Sequence, residues 1–238
     1  MLLRLFTFRP DVAGDSADAR IRQHVLPALK AMPGLRYVYA ARTSAAEADQ
    51  RVVASVWDES AAGHSLDRLF DFEADDHAVD ARVELHQLDI DLDFADAGTP
   101  QILRIFRGRT VAGQLDRYVE YARHGTMADA LADHGPEALF LARIPPDQFI
   151  TVSAWSAWDR IAASTGGNLR QPIATRHSEL LEGGTAAFYE IVPNTPHGRA
   201  DGAASSDATP AAGEQSPPQS GTSGALLARS ELPAIPGT

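Results

Sequence analysis

Two kinds of polar side chain recur in this 238-residue sequence at an interval of 100 residues, and both could take part in chemistry. The pairs are His24 with His124, and Arg4 with Arg104. A histidine titrates near neutral pH and can act as a general base, but in an amphipathic helix it is often a solvated or structurally bonded side chain. An arginine within a buried strand needs a carboxylate, a carbonyl or an anionic ligand. Each arginine is therefore expected either to pair with an acid or to hold an enolate or carboxylate substrate.

Tryptophan and a further histidine add candidates in the second half of the chain. Trp57 and Trp155 each end a predicted strand, where their size favours core packing. Trp158 follows in the second half only. His177 precedes the last predicted strand, and His77 stands in a similar place in the first half. These residues could line a binding site or contribute to the core.

Acidic residues cluster twice, at Asp75-Asp76-His77 and at Asp89, Asp91 and Asp93. Alternate aspartates on a strand share one face and could bind a hard cation. Charged residues also protect an exposed edge strand from pairing with another chain. We expect the second explanation to hold and predict no metal site.

The composition excludes several classes of protein. Without cysteine the chain has no disulfide, thiolate nucleophile or cysteinyl metal site. A net charge of −11 argues against binding to nucleic acid, which needs a basic face. No apolar run approaches the roughly 20 residues of a membrane span, and no phosphate-cradling glycine loop or Gly-x-Ser-x-Gly motif occurs. We expect a cytoplasmic protein that binds neither nucleic acid nor a membrane.

The first half of the chain is repeated in the second half. Residues Leu2–Arg9 align with Ile102–Arg109 at an offset of 100, with identity at four of eight positions. Val53–Trp57 likewise aligns with Thr151–Trp155. The sequence therefore contains two copies of a unit of about 95 residues, which is a duplication and not a longer repeat array.

Each copy has the apolar pattern of a β-α-β-β-α-β unit. The first copy predicts strands at 2–9, Leu35–Thr43, Gln50–Asp58 and Arg82–Phe94, and helices from Asp15 or Ser16 and over Glu59–Phe72. Pro27 is expected to kink or end the first helix. The second copy predicts strands at Ile102–Thr110, Ala138–Ile144, Gln148–Trp155 and Ala186–Val192, and helices at Gly113–Ala132 and from Trp158 to a break at Gly166-Gly167.

These units predict an α+β fold of two tandem ferredoxin-like units. Each sheet has helices on one face, and its other face must also be buried. The sibling sheet is the nearest partner, which predicts a pseudo-symmetric α/β barrel within one chain. The predicted divisions are a first unit at 1–95, a linker at 96–100, a second unit at 101–193 and a tail at 194–238.

The tail is rich in small and turn-forming residues and has no periodic apolar pattern. Such a segment cannot bury enough surface to offset the entropy lost on ordering, so we expect it to be disordered. The short apolar segment 225–232 reflects either drift in composition or a docking peptide for a protein partner.

Two segments of the first copy carry a resemblance to a known family. Met32–Arg42 resembles the helix end and second strand of the dimeric α/β barrel superfamily, and Trp57–Ser60 resembles the strand end of its antibiotic-biosynthesis-monooxygenase branch. The resemblance implies a pocket between sheet and helices. The superfamily includes cofactor-free quinone-forming oxygenases, haem-degrading enzymes, isomerases and members without known activity.

A haem enzyme of this family would need an axial histidine, a tryptophan and a first-strand asparagine. His177 and Trp158 could supply two of these, but their spacing is too wide and arginine stands where the asparagine would be. The resemblance therefore favours haem binding least.

The resemblance and the residues together predict a small-molecule oxygenase, or a related enzyme, of the kind found in antibiotic biosynthesis. It would act on an aromatic, enolisable substrate without metal, flavin or other cofactor. We expect the site in the second copy, with His124 and Arg104 as catalytic residues and with Trp155, Trp158 and His177 binding substrate. The alternatives are a non-catalytic ligand-binding or accessory module and a haem-binding protein. The chain is expected to be a monomer or a homodimer.

Overall fold

Eight antiparallel strands form a closed ring in the computed structural model. It describes residues 1–10, 15–43, 49–59, 78–93, 99–126, 135–173, 177–192 and 198–199. The strands are β1 (Leu2–Pro10), β2 (Leu35–Thr43), β3 (Arg51–Trp57), β4 (Ala78–Asp93), β5 (Ile102–Thr110), β6 (Ala138–Ile144), β7 (Gln148–Trp155) and β8 (Leu181–Ile191). Their order is β3-β1-β4-β6-β7-β5-β8-β2, and β2 pairs with β3 to complete the ring.

The two copies join edge to edge at two equivalent junctions. At one junction β4 of the first copy pairs with β6 of the second, with Leu92 opposite Leu139. At the other, β8 of the second copy pairs with β2 of the first, with Arg42 opposite Glu190. Within each copy the order is that of a ferredoxin-like unit, β4-β1-β3-β2 and β8-β5-β7-β6. The predicted α+β fold and the pseudo-symmetric barrel within one chain are confirmed.

The aspartates of β4 do not lie on an edge strand, so that prediction was wrong. β4 pairs with β1 on one side and β6 on the other. The carboxylate of Asp89 accepts hydrogen bonds from the backbone N–H and the Nε of Arg143, at 2.9 and 2.8 Å. The neighbouring strand comes from the other copy, which the local pattern of acids does not reveal. The Asp75–His77 cluster lies outside the described residues.

The first helix of each copy changes its winding part-way along. Helix α1 (Asp15–Arg20) continues as a π-helical segment, Ile21–Val25, and then as α-helix over Leu26–Lys30. Helix α2 (Leu115–Tyr121) continues as the π segment Ala122–Thr126. Segments of π-helix are rare, and these two lie at equivalent places in the two copies. The copies therefore agree in local helix geometry as well as in strand order.

Pro27 does not end the first helix. It lies in the first turn of the segment that follows the π turn, where its missing N–H does least harm. The later helix α3 (Trp158–Ser164) ends before Gly166 and Gly167, which have φ of 65° and 85°. The predicted helix at 59–72 lies almost entirely outside the described residues. No helix in the described ranges has the length and apolar character needed to cross a membrane.

Alternating side chains divide the apolar core into layers on the two faces of the ring. One layer fills the inside and combines residues of both copies, among them Leu3, Tyr39, Leu103, Phe140 and Val152. The outer face of the first copy packs against α1, and that of the second packs against α2 and α3. Every residue of β3 is buried because both of its faces are covered.

Three segments differ from the predicted boundaries. β4 and β8 begin earlier than expected, at Ala78 and Leu181. Gly198–Arg199 forms a short strand, β9, beside Tyr37 and Val38 of β2, within the stretch predicted to be disordered. Main-chain pairing needs no side-chain pattern, so the sequence did not indicate this contact. Residues 200–238, including the apolar segment 225–232, lie outside the described residues.

Candidate functional site

Arg104 is the most unusual polar side chain of the second copy. It lies on β5, between Leu103 and Ile105, whose side chains point into the barrel. Alternation along the strand turns Arg104 to the outer face, toward the helices. Only 1% of the residue is exposed. Its backbone neighbours on the adjoining strands are Ser153 of β7 and Phe188 of β8.

The partners of Arg104 are backbone carbonyls. Its Nη2 donates to the carbonyl oxygens of Gln171 and Leu169, the latter at 3.4 Å. Its Nε is buried and has no hydrogen-bond partner among the residues that the structure describes. Within the same residues no ion pair includes Arg104, so the expected pairing with an acid does not occur there and its charge has no counter-ion.

Burial lowers the pKa of Arg104 to about 10, and the hydroxyl of Tyr118 acts in the opposite direction. The guanidinium is therefore still charged at neutral pH. Burial also raises the pKa of Tyr118 above its ordinary value, so this neighbour is a neutral phenol under the same conditions. The site contains a desolvated cation that an anion could neutralise.

Aromatic rings surround the guanidinium. Its Cζ lies 5.1 Å from the ring centre of Phe106 and 5.9 Å from that of Phe188. These distances fit cation–π contact, which partly offsets the loss of water around the charge. The ring of Trp158 lies 5.3 Å from that of Phe188. The structure thus brings Arg104 and Trp158 together through Phe188.

Two glycines of the second copy make room for the rings of Phe106 and Phe149. A Cβ at Gly108 would lie 2.8 Å from the ring of Phe106 and closer still to that of Phe149. A Cβ at Gly184, opposite Gly108 on β8, would also meet Phe106. The first copy has Phe8 in the place of Gly108. The glycines therefore make room for an aromatic cluster that the first copy cannot form in this way.

Trp155 is a fully buried core residue, as its size indicated. Its indole Nε1 donates to the Oγ of Ser153 at 2.8 Å, and Trp57 makes the same bond to Ser55 at 2.8 Å. The role of these serines was not predicted, although the Ser-x-Trp pattern in both copies is the signal that could have shown it. Trp155 belongs to the apolar layer beside Arg104, where Phe188 also packs.

His124 lies on the solvent side of α2, in its π segment. Its side chain is 67% exposed, and its Nε2 is 3.0 Å from the Oε1 of Glu120, which is also exposed. His24 is likewise exposed in the equivalent segment. The histidines that recur in both copies therefore face water in this structure, and neither contacts Arg104.

His177 belongs to a separate group. Its Nδ1 is 2.7 Å from the Oε1 of Glu179, and its ring lies edge-on to Tyr121 with the centres 4.0 Å apart. Leu180, three residues later, accepts a backbone hydrogen bond from Val111, beyond the far end of β5. Of the predicted site residues, Arg104, Trp155 and Trp158 therefore lie together, whereas His124 and His177 contact residues of α2.

Haem does not fit the described residues. A haem site of the expected kind would bring a histidine, a tryptophan and the first-strand side chain together. Here His177 lies against Tyr121, whereas Trp158 and Arg104 both lie against Phe188. In the described part of the chain, no three histidine, aspartate or glutamate side chains form a metal-binding group.

Solved structures share this architecture over nearly their whole length. A candidate monooxygenase of Fusobacterium nucleatum matches with a TM-score of 0.60 at 8% identity, over 83% of this chain and 94% of that one. A candidate monooxygenase of Lactobacillus acidophilus matches with a TM-score of 0.58 at 10% identity, over 80% and 92%. The chain has the dimeric α/β barrel fold. Both copies of the barrel contribute to the match.

A candidate chlorite dismutase matches the barrel with a TM-score of 0.50 at 12% identity, over 80% of this chain and 93% of that one. No protein-family model matches the sequence, and no curated protein is similar to it in sequence. At such low identities the likeness concerns the fold of the barrel.

Proposed function

We propose that this protein is a small-molecule oxygenase, or a related enzyme, that acts on an aromatic, enolisable substrate beside Arg104 without metal or flavin. The observation that carries the proposal is the buried guanidinium of Arg104, which has neither a counter-ion nor a partner for its Nε in the described part of the chain. Such a group is suited to hold an oxyanion that forms during a reaction. The names of two similar solved structures, both candidate monooxygenases, agree with this class of activity.

The reaction proposed here removes a proton from a methylene group beside a carbonyl. The resulting enolate places its negative charge on oxygen, and Arg104 would stabilise that oxygen in a site from which water is excluded. Reaction of the enolate carbon with O₂ converts CH₂ to C=O. One oxygen atom is retained in the new carbonyl and the other leaves as water, so the electrons balance without an external reductant.

His124 is the proposed base, on the sequence argument that it is available near neutral pH. Its exposed position gives this assignment less support than that of Arg104. Trp155, Trp158 and His177 are proposed to bind substrate. Of these three, Trp158 has support from its packing near Arg104, whereas Trp155 is a fully buried core residue of the adjoining layer.

Oxygen uptake tests the proposal. The full chain is supplied with aromatic ketones that carry an acidic benzylic methylene, such as 2-tetralone, with no added reductant. We expect uptake above the rate in buffer, and a loss of about 10²-fold in Arg104→Met. Melting temperatures show whether the variant is folded, and Arg104→Lys should keep part of the rate. No uptake with any such ketone, or equal uptake by a folded Arg104→Met, contradicts the proposal.

A non-catalytic binding module is the second candidate. The observation in its favour is that neither His124 nor His177 contacts Arg104. A site with a cation but no adjacent base can bind an anion, but it has no group that removes a proton from a substrate. Saturable binding of aromatic anions without oxygen uptake would favour this function.

A further inference from the structure

We infer that Trp158 and Phe188 select a planar aromatic anion as the ligand of the Arg104 site, an inference that rests on the proposed function for the location of that site. The chemical class meant is an arene that carries a carboxylate, phenolate or enolate oxygen. Trp158 and Phe188 are specificity-determining residues in this scheme, and Arg104 supplies the charge.

Trp158 differs from the other two tryptophans of the chain. Trp57 and Trp155 are buried, and serine hydroxyls accept their indole hydrogen bonds. Trp158 is 43% exposed at the start of α3, and its indole N–H has no partner among the described residues. A large aromatic ring at a surface is common where a partly apolar ligand binds. Core packing explains the first two tryptophans but leaves much of Trp158 uncovered.

An aromatic path leads from Trp158 to the buried charge. The rings of Trp158 and Phe188 are 5.3 Å apart, and Phe188 lies 5.9 Å from the Cζ of Arg104. Leu169 and Ile173 pack against the same layer. A planar aromatic ring stacked along these side chains would make both apolar and ring–ring contacts, whereas a saturated ring would make only the apolar contacts.

The Nε of Arg104 provides the polar end of this site. It is buried and unpartnered, so an anionic oxygen would satisfy it and neutralise the guanidinium. Nη2 already donates hydrogen bonds to the carbonyl oxygens of Leu169 and Gln171. Since Nε has no contact with solvent, a neighbouring segment must shift before a ligand reaches it. Gly166 and Gly167, with positive φ, precede the segment that carries these carbonyls.

The first copy supplies an internal comparison. Arg4 occupies the place of Arg104, and its neighbour on β4 is Leu85, where the second copy has Phe188. Leu85 is 63% exposed. Among the described residues, the position beside the arginine on the neighbouring strand is therefore aromatic in the second copy and aliphatic in the first.

Calorimetric titration of the full chain tests the inference with three probes. 2-Naphthoate is a planar aromatic anion, cyclohexanecarboxylate is an anion without an aromatic ring, and 2-naphthamide is the neutral aromatic analogue. We expect 2-naphthoate to bind at least about tenfold more tightly than either of the others. Trp158→Leu should weaken the binding of 2-naphthoate about three- to tenfold, which is the range expected for a lost aromatic contact. The affinity for cyclohexanecarboxylate should stay within about twofold of the wild-type value.

Two variants serve as controls. Trp158→Phe should retain most of the affinity for 2-naphthoate, and Leu85→Ala, at the equivalent place in the first copy, should change none of the affinities. Absence of saturable 2-naphthoate binding at millimolar concentrations, or equal losses for all three probes in Trp158→Leu, overturns the inference. Selective binding without oxygen uptake would support it while contradicting the proposed enzyme, so the two failures are distinguishable.

Discussion

Glu84 on β4 and Arg107 on β5 form a two-point ion pair between strands that are not neighbours in the ring. Nη1 of Arg107 is 2.9 Å from Oε2 of Glu84, and Nη2 is 2.8 Å from Oε1. The first copy supplies the carboxylate, which is only 10% exposed, and the second supplies the guanidinium. This pair links the two copies in addition to their shared strand junctions.

Loss of this ion pair should destabilise the barrel. Arg107→Met removes both hydrogen bonds and leaves the largely buried Glu84 without its main partner, so we expect the free energy of unfolding to fall by about 1–3 kcal/mol. Urea unfolding measures the change. The double variant Glu84→Gln/Arg107→Met should recover part of it, and an unchanged midpoint in Arg107→Met would contradict the assignment.

The same pair predicts a loss of stability in acid. Burial raises the pKa of Glu84, but the hydrogen bonds and charges of Arg107, together with Arg82 and His86, outweigh it and leave the pKa below its ordinary value. A carboxyl with a lowered pKa in the folded state stabilises the protein above its unfolded pKa of about 4.5 and loses this effect as it protonates. The stability difference between wild type and Glu84→Gln should therefore shrink as the pH falls from about 6 to about 3.

Gly108 should not tolerate a side chain. In Gly108→Ala the new methyl group would collide with Phe149 and lie 2.8 Å from Phe106, so these rings must move. We expect a loss of about 1–3 kcal/mol in thermal or urea unfolding. Adding Phe149→Leu should restore part of the stability. Full stability in the single variant would show that the rings do not hold the described positions.

The two tryptophan–serine pairs should behave alike. Ser153→Ala and Ser55→Ala each leave a buried indole N–H without an acceptor, so each should cost about 1–3 kcal/mol. Because the pairs lie in different copies, the two losses should add within about 0.5 kcal/mol in the double variant. Differential scanning calorimetry of the three variants measures these losses. A neutral Ser153→Ala would mean that Trp155 finds another acceptor.

His124→Ala should leave the fold intact, because both His124 and Glu120 are exposed. We expect the free energy of unfolding to change by no more than about 0.5 kcal/mol. If His124 is the base, oxygen uptake with a substrate should fall by about 10² or more. The exposed control His24→Ala should change neither quantity. Retained activity in His124→Ala would remove this histidine from the mechanism.

The sequence predicted most strand boundaries because the buried strands have strong apolar patterns. Leu35–Thr43, Ile102–Thr110, Ala138–Ile144 and Gln148–Trp155 are observed with the predicted ends. The start of β8 was missed because Gly183 and Gly184 are poor strand formers. Gly184 belongs there because the ring of Phe106 lies over it, a contact between different strands.

The candidate site was predictable only in part. The position of Arg104 in the middle of a strand indicated its burial, and the sequence placed Trp158 in the same copy. The carbonyls that accept hydrogen bonds from Arg104 belong to residues 65 and 67 positions later, in a segment without a periodic apolar pattern. The exposure of His124 could not be read from its recurrence, since a residue can recur in both halves of a chain without lying at a site.

Closure of the ring within one polypeptide has a genetic consequence. In an assembly of two identical subunits, every codon change appears on both sides of the axis. Here the two halves are encoded separately, so the strand beside Arg104 can carry Phe188 while the strand beside Arg4 carries Leu85. A single-chain barrel of this kind can specialise one half for a ligand and keep the other as its scaffold.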